Sequence, residues 1–166
     1  MRRIGRFGTG LLLAALMTGA CLAEDAVPPK FYKLNFVVKE VDGAKVVNTR
    51  SYSTMVSTQK GGQACSIRTG AQVPYITGKE YRDLFVGVNI DCRALTEEAN
   101  GLSLWVDADI SSVAESTTNT ERPFVRQNKW GSTVLVPLKK PTLIFSSDDV
   151  TSKHQMQLEL TATPIT

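Results

Sequence analysis

The chain has 166 residues, 42% of them hydrophobic, and a formal charge of +3. Arg2, Arg3 and Arg6 account for all of that charge, so from Glu24 onward 16 basic residues balance 16 acidic ones. The balance gives no electrostatic argument for nucleic acid, and the length fits one ordinary domain able to bury its own core.

The opening "MRRIGRFGTGLLLAALMTGACLAEDA" places three arginines before an apolar run from Leu11 to Met17 and then small residues, the layout of a bacterial secretory signal. The run is shorter than the roughly 20 residues a bilayer requires. Two processing routes are open. Cleavage after Ala23 would make residues 1–23 a signal peptide and start the mature chain at "EDAVPPK". Alternatively, Thr18-Gly19-Ala20-Cys21 resembles a lipobox, with Thr18 where Leu is usual, and Cys21 would then carry a lipid. The expectation is an exported protein, periplasmic or secreted by the first route and an outer-membrane lipoprotein by the second. No transmembrane segment is expected in the mature chain, so a membrane tether would depend on Cys21. Residues 24–30, with Pro28 and Pro29, read as a linker.

Cleavage after Ala23 leaves two cysteines, Cys65 and Cys92, in an exported chain where disulfides persist, and predicts a bond between them. The alternative is two separate buried thiols. Two cysteines and one distant histidine offer no metal-ligand spacing, and no cofactor is implied.

Residues 31–166 read as a single β-domain. "FYKLNFVVKEV" alternates Tyr32, Leu34, Phe36 and Val38 on one face, and Asp42-Gly43 signals a hairpin to "AKVVNTRSYSTMVST". "ACSIRTG", "DLFVGVNIDCRAL", "LSLWVDADISSV", "FVRQNKWGSTVLVPL" and "PTLIFSS" follow, separated by Lys60-Gly61-Gly62, Glu97–Gly101, Thr117–Pro123 and Asp148–Ser152. The last stretch, "HQMQLELTATPI", puts Met156, Leu158, Leu160 and Ala162 on one face of a half-buried strand whose partner must lie earlier in the chain. Helical turns fit only at Glu80–Leu84 and Ala94–Asn100, and "GAQVPYITG" (70–78) reads as a shaped turn between its glycines. The fold expected is all-β: a mostly antiparallel β-sandwich or open barrel of about eight strands.

Several chemistries can be weighed against these strands. Ser57-Thr58-Gln59-Lys60 matches S-x-x-K, but that chemistry needs the serine at the start of a helix, whereas here it ends a strand. A serine or cysteine nucleophile needs a base, and the one histidine, His154, stands in a polar turn. Asp107 and Asp109, two apart in "LWVDADI", share a strand face with Trp105 and are the best candidates for a small secreted hydrolase; a solvated sheet face is the plainer reading. Trp105 and Trp130 offer a third reading, a carbohydrate-binding or adhesin-like sandwich. "RPFVRQNKWG" is the most interaction-like stretch, with Arg122, Phe124, Arg126 and Trp130 as a candidate surface of types enriched in binding hot spots.

Taken in order, "SIRTGAQVPYI", "YRDLFVGVNIDCRAL", "NGLSLWVDADISSV" and "RPFVRQNKWGSTVLV" resemble successive elements of the β-rich core domain of bacterial secretins, the outer-membrane ring proteins of type II and III secretion and type IV pilus systems. "MQLELTATPI" resembles their closing strand with its Thr-Pro-hydrophobic ending. Between them secretins carry a Gly-Gly-Leu hairpin and a membrane lip, where this chain has "KKPTLIFSSDDVTSKHQ". The resemblance therefore implies a secretin-like core without the lip insertion and without the N-terminal ring domains. The function expected is a non-enzymatic protein-binding or assembly module of the bacterial cell envelope, its partner another envelope protein or a second copy, met through an edge strand.

Overall fold

The computed structural model describes residues 28–58, 65–113, 124–150 and 152–165. The signal-like opening and Cys21 lie outside them, as does Arg122. Eight strands are described: β1 (Phe31–Asp42), β2 (Lys45–Ser57), β3 (Cys65–Thr77), β4 (Glu80–Glu98), β5 (Gly101–Val113), β6 (Val125–Val136), β7 (Thr142–Asp148) and β8 (His154–Ile165). They form two four-stranded sheets, β2-β1-β8-β7 and β3-β4-β5-β6, antiparallel throughout, packed as a sandwich.

The closing strand lies inside the first sheet, with a partner on each side. β8 runs between β1 and β7, with Leu34 opposite Ala162, Phe36 opposite Leu160 and Val38 opposite Leu158. The alternation read from the sequence sets the register, because a slip by one residue would turn every one of these side chains to solvent. Tyr32, Leu34 and Phe36 from β1 and Leu158 and Leu160 from β8 meet Val88 and Ile90 from β4 and Leu102, Leu104, Val106 and Ile110 from β5 in one core, all at 1% exposure or less. Each such side chain contributes about 1.5 to 3 kcal/mol by leaving water.

Two hairpins turn on glycine at positive φ, Gly43 (59°) between β1 and β2 and Gly78 (64°) between β3 and β4. At a first central turn position only glycine reaches that region without a Cβ clash. Cys65 and Cys92 are directly opposed in the β3–β4 ladder, both buried, and bonded to each other.

Three local expectations differ from the structure. Glu80–Leu84 is strand, the first part of the 19-residue β4. Ala94–Asn100 is also strand up to Glu98, interrupted by a register shift between Arg93 and Thr96, with Ala99 and Asn100 left as a two-residue turn. The run contains good helix formers, but its backbone pairs with β5, and the pairing overrides a weak local preference. Residues 70–77 are not a turn either; they continue β3 against β4, and the turn is confined to Gly78 and Lys79. Gly70 stands opposite Gly87, where a Cβ on Gly87 would come within 2.2 Å of the Thr69 carbonyl oxygen, so these glycines serve a close strand approach. Pro74 is accommodated because β3 is an edge strand and has no second ladder to lose.

Candidate functional site: the cleft between two edge strands

The inward positions of β1 are apolar from Tyr32 to Val38 and then change character at Glu40. On β2 the matching inward positions are Arg50 and Asn48, on β6 they are Asn128 and Arg126, and on β8 the apolar row ends at Met156 and His154. Polar groups lose hydration if the sheets close over them, so at this end the two layers stand apart. The result is a cleft of about 930 Å³, bounded by β6 on one side and by β7 and the ends of β1, β2 and β8 on the other.

Phe145 lines the cleft and is backed by a second ring. Trp130 packs against Phe145 with ring centroids 5.5 Å apart, joining an inward residue of β6 to one of β7. The cleft walls carry ion pairs. Arg50 Nη2 lies 3.2 Å from Glu40 Oε1, and Asn48 Nδ2 donates to Glu40 Oε2 at 3.5 Å. Arg126 Nε lies 2.9 Å from Asp149 Oδ2, close as an ion pair yet out of line for a hydrogen bond. Gln155 Nε2 donates to Asp148 Oδ1 at 2.9 Å. Phe124 stands at the rim, 57% exposed. His154 also borders the cleft, its Nε2 3.9 Å from Asp42 Oδ2 at an exposed position.

Six consecutive residues, Phe124 to Lys129, border this cleft. Successive strand residues point to opposite faces, so an unbroken run reflects the edge of β6 itself, where backbone N–H and C=O groups have no described strand beside them. The site therefore offers main-chain hydrogen bonding along an edge, the phenyl rings of Phe124 and Phe145, and charged walls.

Of the four candidate surface residues, two border the cleft, Phe124 and Arg126, and Trp130 packs behind it against the lining residue Phe145. Glu40, Arg50 and Asp149 were not anticipated, since they come from three separate strands or strand ends. The one signal available was the change from Val38 to Glu40 at an inward position.

The other candidates lie elsewhere. Asp107 and Asp109 project from the outer face of β5, opposite in sense to buried Val106, Ala108 and Ile110, and so away from the cleft. Asp107 faces Asp91 across the ladder, and Asp109 accepts Gln127 Nε2 at 2.8 and 3.0 Å. Arg68 Nη2 donates to both oxygens of Asp91, at 2.9 and 2.7 Å, and these bonds hold the Asp91 carboxyl below the usual carboxylate range. Trp105 shares that outer face, under Arg93, whereas Trp130 points inward opposite Ala108, so the two indoles lie on opposite faces of one sheet and form no common sugar platform. Ser57 ends β2 in extended conformation, not at a helix start. Among the described residues no group of three or more His, Cys, Asp or Glu side chains is placed to hold a metal ion. Among them, too, no helix is long and apolar enough to cross a membrane.

No protein family and no curated protein matches the chain. Solved structures do. A chain of the Klebsiella pneumoniae type II secretion system outer membrane complex of PulD, PulS and the PulC HR domain matches over 83% of this chain and 39% of its own, with 11% identity and a TM-score of 0.50. The fold is secretin-like. The Salmonella SPI-1 type III secretion injectisome secretin InvG matches over 83% of this chain and 63% of its own, at 10% identity and a TM-score of 0.49. The type II secretin GspD of enteropathogenic Escherichia coli matches over 83% and 66%, at 11% identity and 0.47. The chain thus spans less than two thirds of the length of each of these secretin structures, and at such identity the likeness concerns fold alone.

Proposed function

We propose that this protein is an exported, non-enzymatic assembly module of the bacterial cell envelope that receives an extended segment of another envelope protein in the cleft between β6 and β7. The observation that carries the reading is the run Phe124–Lys129, which presents a strand edge inside a cleft also lined by Phe145. Added-strand recognition draws affinity from main-chain bonds and specificity from flanking side-chain pockets. Phe124 and Arg126 supply an exposed aromatic and a cation at the rim, the residue types that concentrate binding energy. The secretin-like fold and the signal-like opening support the same compartment, with Cys21 lipidation as the route to membrane attachment.

The test is a pull-down from native envelope extract with the mature wild-type protein and with Phe124→Ala and Arg126→Ala as baits. A partner retained by the wild type and reduced at least tenfold by either variant, with unfolding midpoints unchanged, is the expected outcome. Equal retention by all three baits would remove the cleft from the interface. Fractionation of cells producing wild type and Cys21→Ser separates free export from lipid tethering.

A further inference from the structure

The described strands leave four sheet edges; β3 and β7 are guarded, and β6 is the edge the cleft reading already assigns to an added segment. β3 carries Pro74, which removes a backbone donor. β6 borders the cleft, with β7 across it. β7 has seven residues and a register shift between Leu143 and Phe145. Short strands, prolines and bulges are the ordinary devices that keep edges from pairing.

The β2 edge is different. It is 13 residues long, contains no proline, glycine or acidic residue, and exposes Val46 (49%), Val47 (46%) and Met55 (72%). Its one irregularity is the bulge at Val47, near one end. Lys45 and Arg50 are its only charged residues.

We propose that β2 pairs with β2 of a second copy, antiparallel about a two-fold axis through Ser51, so that two β2-β1-β8-β7 sheets become one continuous sheet. This goes beyond the cleft reading and rests on the β2 edge, not on the run Phe124–Lys129. The sequence of β2 is self-complementary in that register. Full overlap of Lys45–Ser57 with itself sets Lys45 opposite Ser57, Val47 opposite Met55, Thr49 opposite Ser53, Arg50 opposite Tyr52 and Ser51 opposite its own equivalent. Neither cation meets a cation, and the two exposed apolar positions Val47 and Met55 cover each other. Moving the axis to Arg50 would oppose two guanidiniums, which destabilises a strand pair, and moving it to Tyr52 would leave Met55 opposite Thr49. Thr49, Ser51 and Ser53 alternate on the outer face with short hydroxyl side chains that approach closely across a ladder. The bulge at Val47 falls at the ends of the joint ladder, away from the axis. A contact made by one strand pair is small, so the dimer is expected to dissociate on dilution.

The experiment uses the mature protein with Ser51→Cys. Opposed residues in an antiparallel pair have Cα atoms about 4.5 to 5.5 Å apart, within disulfide reach. Under mild oxidation Ser51→Cys should give a covalent dimer on a non-reducing gel, while Thr49→Cys and Ser53→Cys, each facing the other position, should crosslink at least tenfold more slowly alone and rapidly when mixed. Ser51→Lys places two ammonium groups at the axis and should shift sedimentation of concentrated protein from dimer to monomer with no change in unfolding midpoint. Three outcomes would each overturn the proposal: a wild type that stays monomeric at the highest soluble concentration, rapid crosslinking of Thr49→Cys alone, or rings larger than dimers that Ser51→Lys leaves intact. Loss of the envelope partner in Phe124→Ala without change in the dimer would show that the two surfaces are separate.

Discussion

The two ends of the sandwich are built from the same two sheets, yet one end is closed and the other open. At the closed end Leu34, Phe36, Leu160, Leu102 and Leu104 interdigitate with no exposure, and the Cys65–Cys92 bond ties the edge strand β3 to β4 beside them. At the open end the inward rows of β1, β2 and β6 carry Glu40, Arg50, Arg126 and Asn128, and the sheets part into the cleft. The contrast teaches that here the spacing between layers follows the chemistry of inward positions, while the backbone ladders run on through both ends. Stability should therefore concentrate at the closed end, and binding at the open one.

The largest effect should come from deleting His154–Thr166, which removes the strand between β1 and β7 and with it Leu158, Leu160 and Ala162. The expected outcome is a chain without cooperative unfolding, seen by circular dichroism; a folded truncation of equal stability would break the contrast at its base. Next, Leu160→Ala should destabilise by about 2 to 5 kcal/mol, through lost burial and a residual cavity against Phe36. Urea unfolding against the wild type measures it. Reducing Cys65–Cys92 should lower stability by roughly 3 kcal/mol in the chain-entropy model, read as a shifted midpoint of the reduced, alkylated protein. At the open end, Glu40→Gln should change stability by about 0.5 kcal/mol, because its pair with Arg50 is about one-third exposed and partly screened. A loss as large as that of Leu160→Ala would mean that the cleft walls also carry the fold.

The smallest effect concerns pH. Hydrogen bonds from Arg68 lower the Asp91 pKa, so the pair adds stability above the ordinary aspartate value of about 3.9 and loses it as pH falls through the depressed folded-state value. Both side chains are about half exposed, 52% and 49%, so solvent screening keeps the contribution small. Unfolding of wild type and Arg68→Ala at pH 7 and at pH 3 should show a small gap that narrows at the lower pH; a gap that widens would reverse the sign.

Much of this organisation was legible in the residues. Period-two alternation in β1, β5 and β8 named the core face, Asp42-Gly43 marked a two-residue hairpin, and an even number of cysteines after the signal-like segment pointed to the bond. These are local or pairwise properties: strand side chains must alternate, and glycine alone fits the turn freely. Where strand and turn preferences were weak, as at Ala94–Glu98 and 70–77, the outcome depended on whether a neighbouring strand was present to take the backbone hydrogen bonds, and that only the ladder with β5 or β4 decided. The cleft lay further out of reach. Arg126, Glu40, Arg50 and Asp149 come together because two sheets stack in one register and then diverge, and no spacing along the chain encodes which polar ends will face each other across that gap.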